Sequence, residues 1–147
     1  MNNLPEKEQL NEDHIILWFI NFDFPHDEIS RILGLQPTRI AIKGEEVLLK
    51  DSTPARRKHR KTYWAYEWRF DTVDFIGDAA ERFIQEVIGP RINEIRDLAK
   101  RCDAEFKIAQ YYYDGFNPGY HFSVDSLKIL SEAGLDLDID VYCFSEE

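Results

Sequence analysis

The chain has 147 residues, of which 44% are hydrophobic and 31% are charged, and its net charge at pH 7 is -10. This length and composition fit one globular domain with a single core and exclude fibrous and intrinsically disordered classes. The acidic charge repels nucleic acid and anionic membranes at long range, so neither is an expected partner and a basic protein is favoured.

The sequence holds no segment that resembles a leader peptide or a membrane span. The longest apolar run, residues 15–20, is far shorter than the ~20 residues that cross a bilayer. Cys102 and Cys143 lack the spacing of a metal or redox motif, so we expect two reduced, buried thiols. These features predict a cytoplasmic protein without membrane attachment.

The first predicted elements are a tail, a strand and a short helix. Residues 1–12 are polar and lack periodicity, which predicts a flexible tail before a single domain over 13–147. The nearly continuous apolar run 15–22 is typical of a strand buried on both faces in the middle of a sheet. Residues 27–33 have helical apolar spacing, and Gly34 follows where a C-cap favours positive φ.

The middle of the chain combines a segment with weak apolar periodicity, a strand rich in aromatic residues and a long helical stripe. Residues 36–61 predict a long, partly mobile connection with at most a short strand at 46–49. Residues 63–70 alternate as a strand does, and one face carries four aromatic side chains: Trp64, Tyr66, Trp68 and Phe70. Residues 73–100 carry a helical stripe that Gly89 and Pro90 interrupt, which leaves either a kink or two helices open.

The last third predicts a hairpin, a helix and a closing strand. Residues 104–112 and 119–124 pattern as two strands joined by a turn. Asp125 is predicted to cap a helix that ends before Gly134. The closing strand is expected to bury alternate residues: Leu137, Ile139, Val141 and Cys143.

A faint internal repeat bears on how these elements assemble. An aromatic residue, an isoleucine and a Gly-Leu pair recur one hundred positions apart, from Phe22 to Leu35 and from Phe122 to Leu135. Together the elements predict an α+β fold with a single layer of helices on a mostly antiparallel sheet, ferredoxin-like with two pseudo-repeated strand-helix units. The alternative is that strand, short helix and glycine cap recur here by chance.

Three aspartates resemble part of a calcium loop. Asp136, Asp138 and Asp140, with Glu147 at the twelfth position, match its ligand spacing, but Val141 stands where that loop needs glycine. In a strand, carboxylates two residues apart stand ~6.6 Å from one another, too far to share one ion unaided. We expect the solvated face of a strand and no metal.

The sequence offers no catalytic constellation. Four histidines are scattered without metal-ligand spacing: His14, His26, His59 and His121. Neither the cysteines nor any serine lies in a nucleophile motif, and no phosphate-binding glycine loop occurs. We therefore expect no enzyme activity and no cofactor.

Two further clusters each leave a functional and a structural interpretation open. Residues 50–61 hold six Lys and Arg against one Asp, which is typical of either a solvated loop or an anion contact with Trp64 and Tyr66 available for stacking. Residues 111–113, with Phe116 and Tyr120, form either an aromatic recognition surface or cross-strand packing.

The chain resembles the bacterial family known as domain of unknown function 4279. The resemblance rests on the run 27–38 (DEISRILGLQPT), the triplet 43–45 (KGE), Trp64 and the closing run 135–142 (LDLDIDVY), and it spans about residues 14–144. It implies a small cytoplasmic α+β domain without established activity, some of whose relatives are thought to be immunity proteins that neutralise a toxin. Thr38, Lys43, Gly44 and Trp64 match the family pattern, for structural or functional reasons.

These observations lead to two expectations of function. The first is a non-enzymatic binding protein, of the immunity type, that masks a basic, toxin-like protein by protein-protein binding. The alternative is a sensor that binds a small molecule or anion between the basic loop and the aromatic strand. The oligomeric state, monomer or homodimer, stays open. The candidate binding residues are Thr38, Lys43, Arg56, Arg57, Trp64 and Tyr112.

Overall fold

The computed structural model describes residues 11–71, 76–113 and 119–144. Its strands are β1 (Glu12–Ile20), β2 (Arg39–Ala41), β3 (Glu46–Leu48), β4 (Pro54–Lys58), β5 (Tyr63–Phe70), β6 (Asp103–Tyr112) and β7 (Asp136–Cys143). Its α-helices are α1 (His26–Leu33), α2 (Ile76–Phe83), α3 (Ile92–Ala99) and α4 (Val124–Glu132).

Five of the strands form one open sheet in the order β2-β5-β1-β6-β7, and β3 and β4 form a separate hairpin. Within the large sheet every neighbouring pair is antiparallel except β6 and β7, which are parallel. The predicted α+β class with a mostly antiparallel sheet is confirmed.

β1 lies at the centre of the sheet, as its continuous apolar run predicts. Ile15, Leu17 and Phe19 are fully buried on one face, and Ile16 and Ile20 are almost fully buried on the other. A central strand meets packed side chains on both faces, which explains why apolar residues occupy nearly every position.

Buried residues of the helices share one core cluster with Ile15, Leu17 and Phe19 from one face of the sheet. The aromatic ring of Phe83, at the end of α2, lies 5.0 Å from the Trp68 ring and 5.8 Å from the Phe106 ring. These partners belong to β5 and β6, so one side chain ties the helix layer to two strands. The aromatic face predicted for residues 63–70 is the face that packs there.

The helical stripe of residues 73–100 is two α-helices joined by irregular turns. A π turn at Ile84–Ile88 and a 3-10 turn at Gly89–Arg91 separate α2 from α3. Pro90 sits at the start of the 3-10 turn, where its missing N–H costs least. Arg91 fixes this junction to α1, because its Nε donates to the Leu33 carbonyl at 2.8 Å.

The repeat is only partly present in the structure. Both α1 and α4 end at a glycine with positive φ, Gly34 at 67° and Gly134 at 72°. Phe122, however, lies in a segment, 119–123, that forms no strand. The predicted hairpin is therefore wrong, because β6 pairs with β1 and β7 instead. The ferredoxin-like pair of strand-helix units is not confirmed.

Several local predictions change as well. Residues 36–61 contain three short strands, β2, β3 and β4, rather than one. Ser123, not Asp125, is the N-cap of α4, since its side chain accepts a hydrogen bond from the Ser126 amide. Cys102 is half-buried as an unpaired thiol, whereas Cys143 is exposed rather than buried.

The predicted tail falls mostly outside the described residues, which begin at Asn11. Asn11 is buried, and Glu12 already belongs to β1. Among the described helices, none combines the length and the apolar character needed to cross a membrane.

Candidate functional site

The outer strand β7 exposes the apolar residues that the sequence predicts to be buried. Leu137, Ile139 and Val141 are 43%, 36% and 47% exposed, so the predicted inner face of this strand is wrong. The reason is position: β7 is the last strand of the sheet, and none of its residues belongs to the core cluster under the helices. We name Asp136–Cys143 together with Phe144 the β7 edge.

The other face of the β7 edge carries a row of stacked rings. Tyr142 stacks on Tyr111 of β6 with 5.0 Å between ring centroids, and Phe144 stacks on Tyr113 at 4.9 Å. Tyr142 and Phe144 remain nearly half exposed. Stacking holds these rings in place, so they present a rigid aromatic surface of the kind that contributes strongly to protein interfaces.

The aspartates of β7 surround a lysine rather than one another. The Lys107 ammonium lies 2.8 Å from Asp140 and 3.5 Å from Asp138. Burial disfavours that charge, but the two carboxylates outweigh it and raise the pKa of Lys107. Asp136 is exposed, and Glu147 lies outside the described residues. The described aspartates form the half-solvated face of a strand.

A second charged network lies around His14 on the sheet face opposite the helices. One ring nitrogen of His14 contacts the Glu67 carboxylate, and the other lies 2.8 Å from Glu12. Arg39 approaches Glu67 at 3.4 Å, and Arg69 approaches Glu12 at 3.0 Å. The hydrogen bond to Glu67 raises the pKa of His14, and burial only partly opposes it. Burial disfavours the charged form of the Glu67 carboxyl. His14 and Arg39 together outweigh this effect, so the pKa of Glu67 is lowered.

A buried carboxyl lies beside this network on the helix side of β1. Asp13 is only 2% exposed, and its Oδ1 atom has no hydrogen-bond partner. Burial raises the pKa of Asp13 to about 6, although a hydrogen bond with Gln110 works against the shift. The Tyr120 hydroxyl also donates to Gln110. Sequence reasoning missed both Asp13 and His14, because their partners lie on strands far away in the chain.

A groove of about 770 Å³ opens at the opposite edge of the sheet, between β2 and the β3-β4 hairpin. We name it the hairpin groove. Its cationic wall is formed by Arg39, Arg57, Lys58 and Arg60, and its remaining lining comes from Ile40, Ala41, Ile42, Glu45, Glu46, Val47, Leu48, His59 and Tyr63. The structure therefore folds much of the basic run 56–61 into the wall of a concave surface.

Three of the candidate binding residues have structural contacts. Thr38 accepts a hydrogen bond from the Glu67 amide at 2.9 Å and so secures the start of β2 to β5. Trp64 is fully buried under the helices, where its indole N–H donates to the Ser30 hydroxyl at 3.0 Å. Tyr112 is buried at the end of β6. The Trp64 ring is therefore not available for stacking on a surface ligand.

The three cationic candidates do not all meet. Arg57 lines the hairpin groove. Arg56 neighbours it in β4 and adopts a positive φ of 59°. Lys43 instead lines a smaller cavity that includes Asn21 and Arg101.

The geometry defines an α+β domain whose five-stranded sheet has two chemically distinct edges. Residues 9–144 match the family described as Domain of unknown function (DUF4279), so the chain belongs to this family. A search of curated proteins and a search of solved structures found no match.

Proposed function

We propose that the chain is a non-enzymatic binding protein that docks onto another protein through the β7 edge. The observation that carries this proposal is the row of exposed apolar and aromatic side chains on the outermost strand of the sheet. An open strand edge presents unpaired backbone groups, and adding a partner strand satisfies them while side chains supply selectivity.

The charges of β7 favour a basic partner over a second copy of this chain. If two β7 strands paired antiparallel in one continuous sheet, residues of the same face would lie opposite each other. In the register centred on Asp138, Asp136 would face Asp140 and Asp138 would face its own copy, and like charges directly opposite destabilise a strand pair. A strand with Lys or Arg at alternate positions relieves that repulsion.

The net charge of -10 adds long-range attraction toward such a partner. We therefore propose an immunity-type role, in which the chain covers a basic toxin and blocks its action. The proposal includes a cytoplasmic location, which the two free cysteines support.

The product of the neighbouring gene provides the test. The purified product would be titrated with the wild-type chain and with Val141→Asp, which places a charge in the exposed apolar row. Val124→Asp is the matched control, because Val124 is 81% exposed at the start of α4 and does not belong to the β7 edge. We expect Val141→Asp to weaken binding by about tenfold or more and Val124→Asp to leave it unchanged.

The same experiment has outcomes that overturn the proposal. Equal affinity of all three proteins would remove the β7 edge from the interface. A product that is harmless when expressed alone, or that stays toxic while bound, would rule out immunity. Sedimentation showing a dimer that Val141→Asp dissociates would assign the edge to a second copy.

A further inference from the structure

We propose that the hairpin groove binds a small organic phosphate, as a second site independent of the β7 edge. The two surfaces lie at opposite ends of the strand order, with β5, β1 and β6 between them. Occupation of the groove therefore does not require the protein partner proposed above.

The charge of the groove wall points to an anion. Within the described part of the chain, Arg57, Lys58 and Arg60 form no ion pair, whereas Arg39 shares Glu67 with His14. Four cationic side chains thus stand against two carboxylates, Glu45 and Glu46, in the lining. Guanidinium groups bind both carboxylate and phosphate oxygens through paired hydrogen bonds, and a phosphate group, with its larger charge and three acceptor oxygens, neutralises more of this cationic wall.

The apolar lining points to an organic body rather than to a bare ion. Ile40, Ile42 and Leu48 line the groove, and each of these residues is about half exposed. Tyr63 lines the same groove. A ligand with a planar or apolar body and a phosphate group would cover this surface while it neutralises the cations. The groove volume of about 770 Å³ accommodates a molecule of nucleotide size.

The backbone of the hairpin is shaped to present this wall. Glu46 pairs with Lys58 and Leu48 pairs with Pro54, so β4 has three residues between the pairs where β3 has one. The bulge includes Arg56, whose φ of 59° is unusual for a residue other than glycine. Bulges redirect side chains and occur often beside functional sites. Here Arg57 lies in the bulge, between the paired residues Pro54 and Lys58, and lines the groove.

Electrostatics selects a small anion over a polyanion. Residues 50–61 hold six of the 18 Lys and Arg, which leaves 12 basic residues against 27 acidic ones in the rest of the chain. That acidic body repels a nucleic acid that extends beyond the groove. A single phosphate ester stays within it.

The test uses equilibrium dialysis of the full chain against three probes: ATP, inorganic phosphate and a single-stranded oligothymidine. We expect ATP to bind, phosphate to bind more weakly because it lacks the organic body, and the oligonucleotide to bind no tighter than ATP. In the double variant Arg57→Gln with Arg60→Gln, ATP affinity should fall about tenfold or more. The matched control, Lys100→Gln with Lys128→Gln, removes two exposed cations elsewhere and should retain the wild-type affinity.

Three results would overturn the proposal: no ATP binding by the wild-type chain, equal loss in both double variants, or oligonucleotide binding much tighter than ATP binding. Thermal unfolding of both double variants checks that they fold. If the groove variant melts early, Arg57→Lys replaces it, since it keeps the charge and loses the paired hydrogen bonds. Unchanged ATP affinity in that variant would then exclude arginine-specific phosphate binding.

Discussion

The two edges of the sheet are built from the same kind of element and carry opposite chemistry. The β7 edge is a long strand with aspartates on one face and exposed apolar residues on the other. The opposite edge is only the three residues of β2, extended by an irregular hairpin rich in arginine and lysine. A straight, paired strand offers a surface for another strand, whereas a short strand beside a bulged hairpin forms a concave site.

The strands between the edges explain how both surfaces coexist in one small domain. β1 is buried on both faces and pairs along its length with β5 and β6. The fold is secured by these three strands and the helices. The exposed side chains of the outer strands β2 and β7 are therefore expected to contribute little to stability.

The largest expected effect is on the free energy of unfolding, and it distinguishes a leucine of the core from a leucine of the β7 edge. Leu135 is buried in the core cluster, and Leu137, two positions later, is exposed. We expect Leu135→Ala to lower the free energy of unfolding by about 2 to 4 kcal/mol and Leu137→Ala by less than about 1 kcal/mol. Urea denaturation of the two variants measures both values. Equal losses would show that β7 is buried after all.

The next effect concerns the carboxyl buried in the central strand. The pKa of Asp13 is raised from 3.8 to about 6 by burial, so its ionised form is disfavoured in the folded state. The contribution of Asp13 to stability should therefore fall as pH rises from about 4 to about 6, and the loss persists above that range. Asp13→Asn should raise the free energy of unfolding by about 2 kcal/mol at pH 8.

Chemical denaturation from pH 4 to pH 8 measures this difference. The exposed Asp97→Asn serves as the control, with no expected change in the profile. A difference in stability between the wild type and Asp13→Asn that stays constant from pH 4 to pH 8 would contradict the assignment.

A smaller effect concerns His14, on the central strand β1. Its pKa is raised in the folded state by Glu67, so the stabilisation is fully present below the unfolded pKa of about 6.5 and is lost as pH rises through the folded value. His14→Asn should cost about 1 to 2 kcal/mol at pH 6 and less at pH 9. The exposed His121→Asn is the control. If both variants lose the same amount at every pH, the charged pair does not stabilise the sheet.

The smallest expected effect is on stability and concerns Arg56 in the β3-β4 hairpin. Arg56 holds a positive φ of 59° in the bulge of β4. Glycine adopts this conformation without strain, so Arg56→Gly should stabilise the protein by about 0.5 kcal/mol despite its added chain entropy. A thermal melt compares it with Lys61→Gly, which lies outside any strand and should be neutral or destabilising. Marked destabilisation by Arg56→Gly would show that its side chain secures the bulge.

The sequence predicts the parts of this fold whose signals are local. The run in β1, the alternation in β5 and the glycine caps of α1 and α4 each depend on neighbouring residues alone, and the structure confirms them. The same apolar alternation in β7 does not reveal which strand the helices cover. The prediction that this strand is buried is wrong, because its exposure depends on the strand order.

The candidate sites likewise combine features that neighbouring residues predict with features that depend on how distant strands pair. The basic run is visible in sequence, but Arg39 joins it only because β2 pairs with β5 next to the hairpin. Trp64 follows the basic run closely in sequence. Its position in the alternating pattern of β5, however, places its side chain in the core. His14 meets Glu67 through a register between strands 53 residues apart, which no local pattern encodes.

Amide hydrogen exchange of the complex with the neighbouring gene product shows which edge of the sheet the partner covers. We expect binding to slow exchange in Asp136–Cys143 and to leave the β4 strand, Pro54–Lys58, unchanged. Protection of β4 without protection of β7, or a complex that protects neither, would contradict docking through the β7 edge.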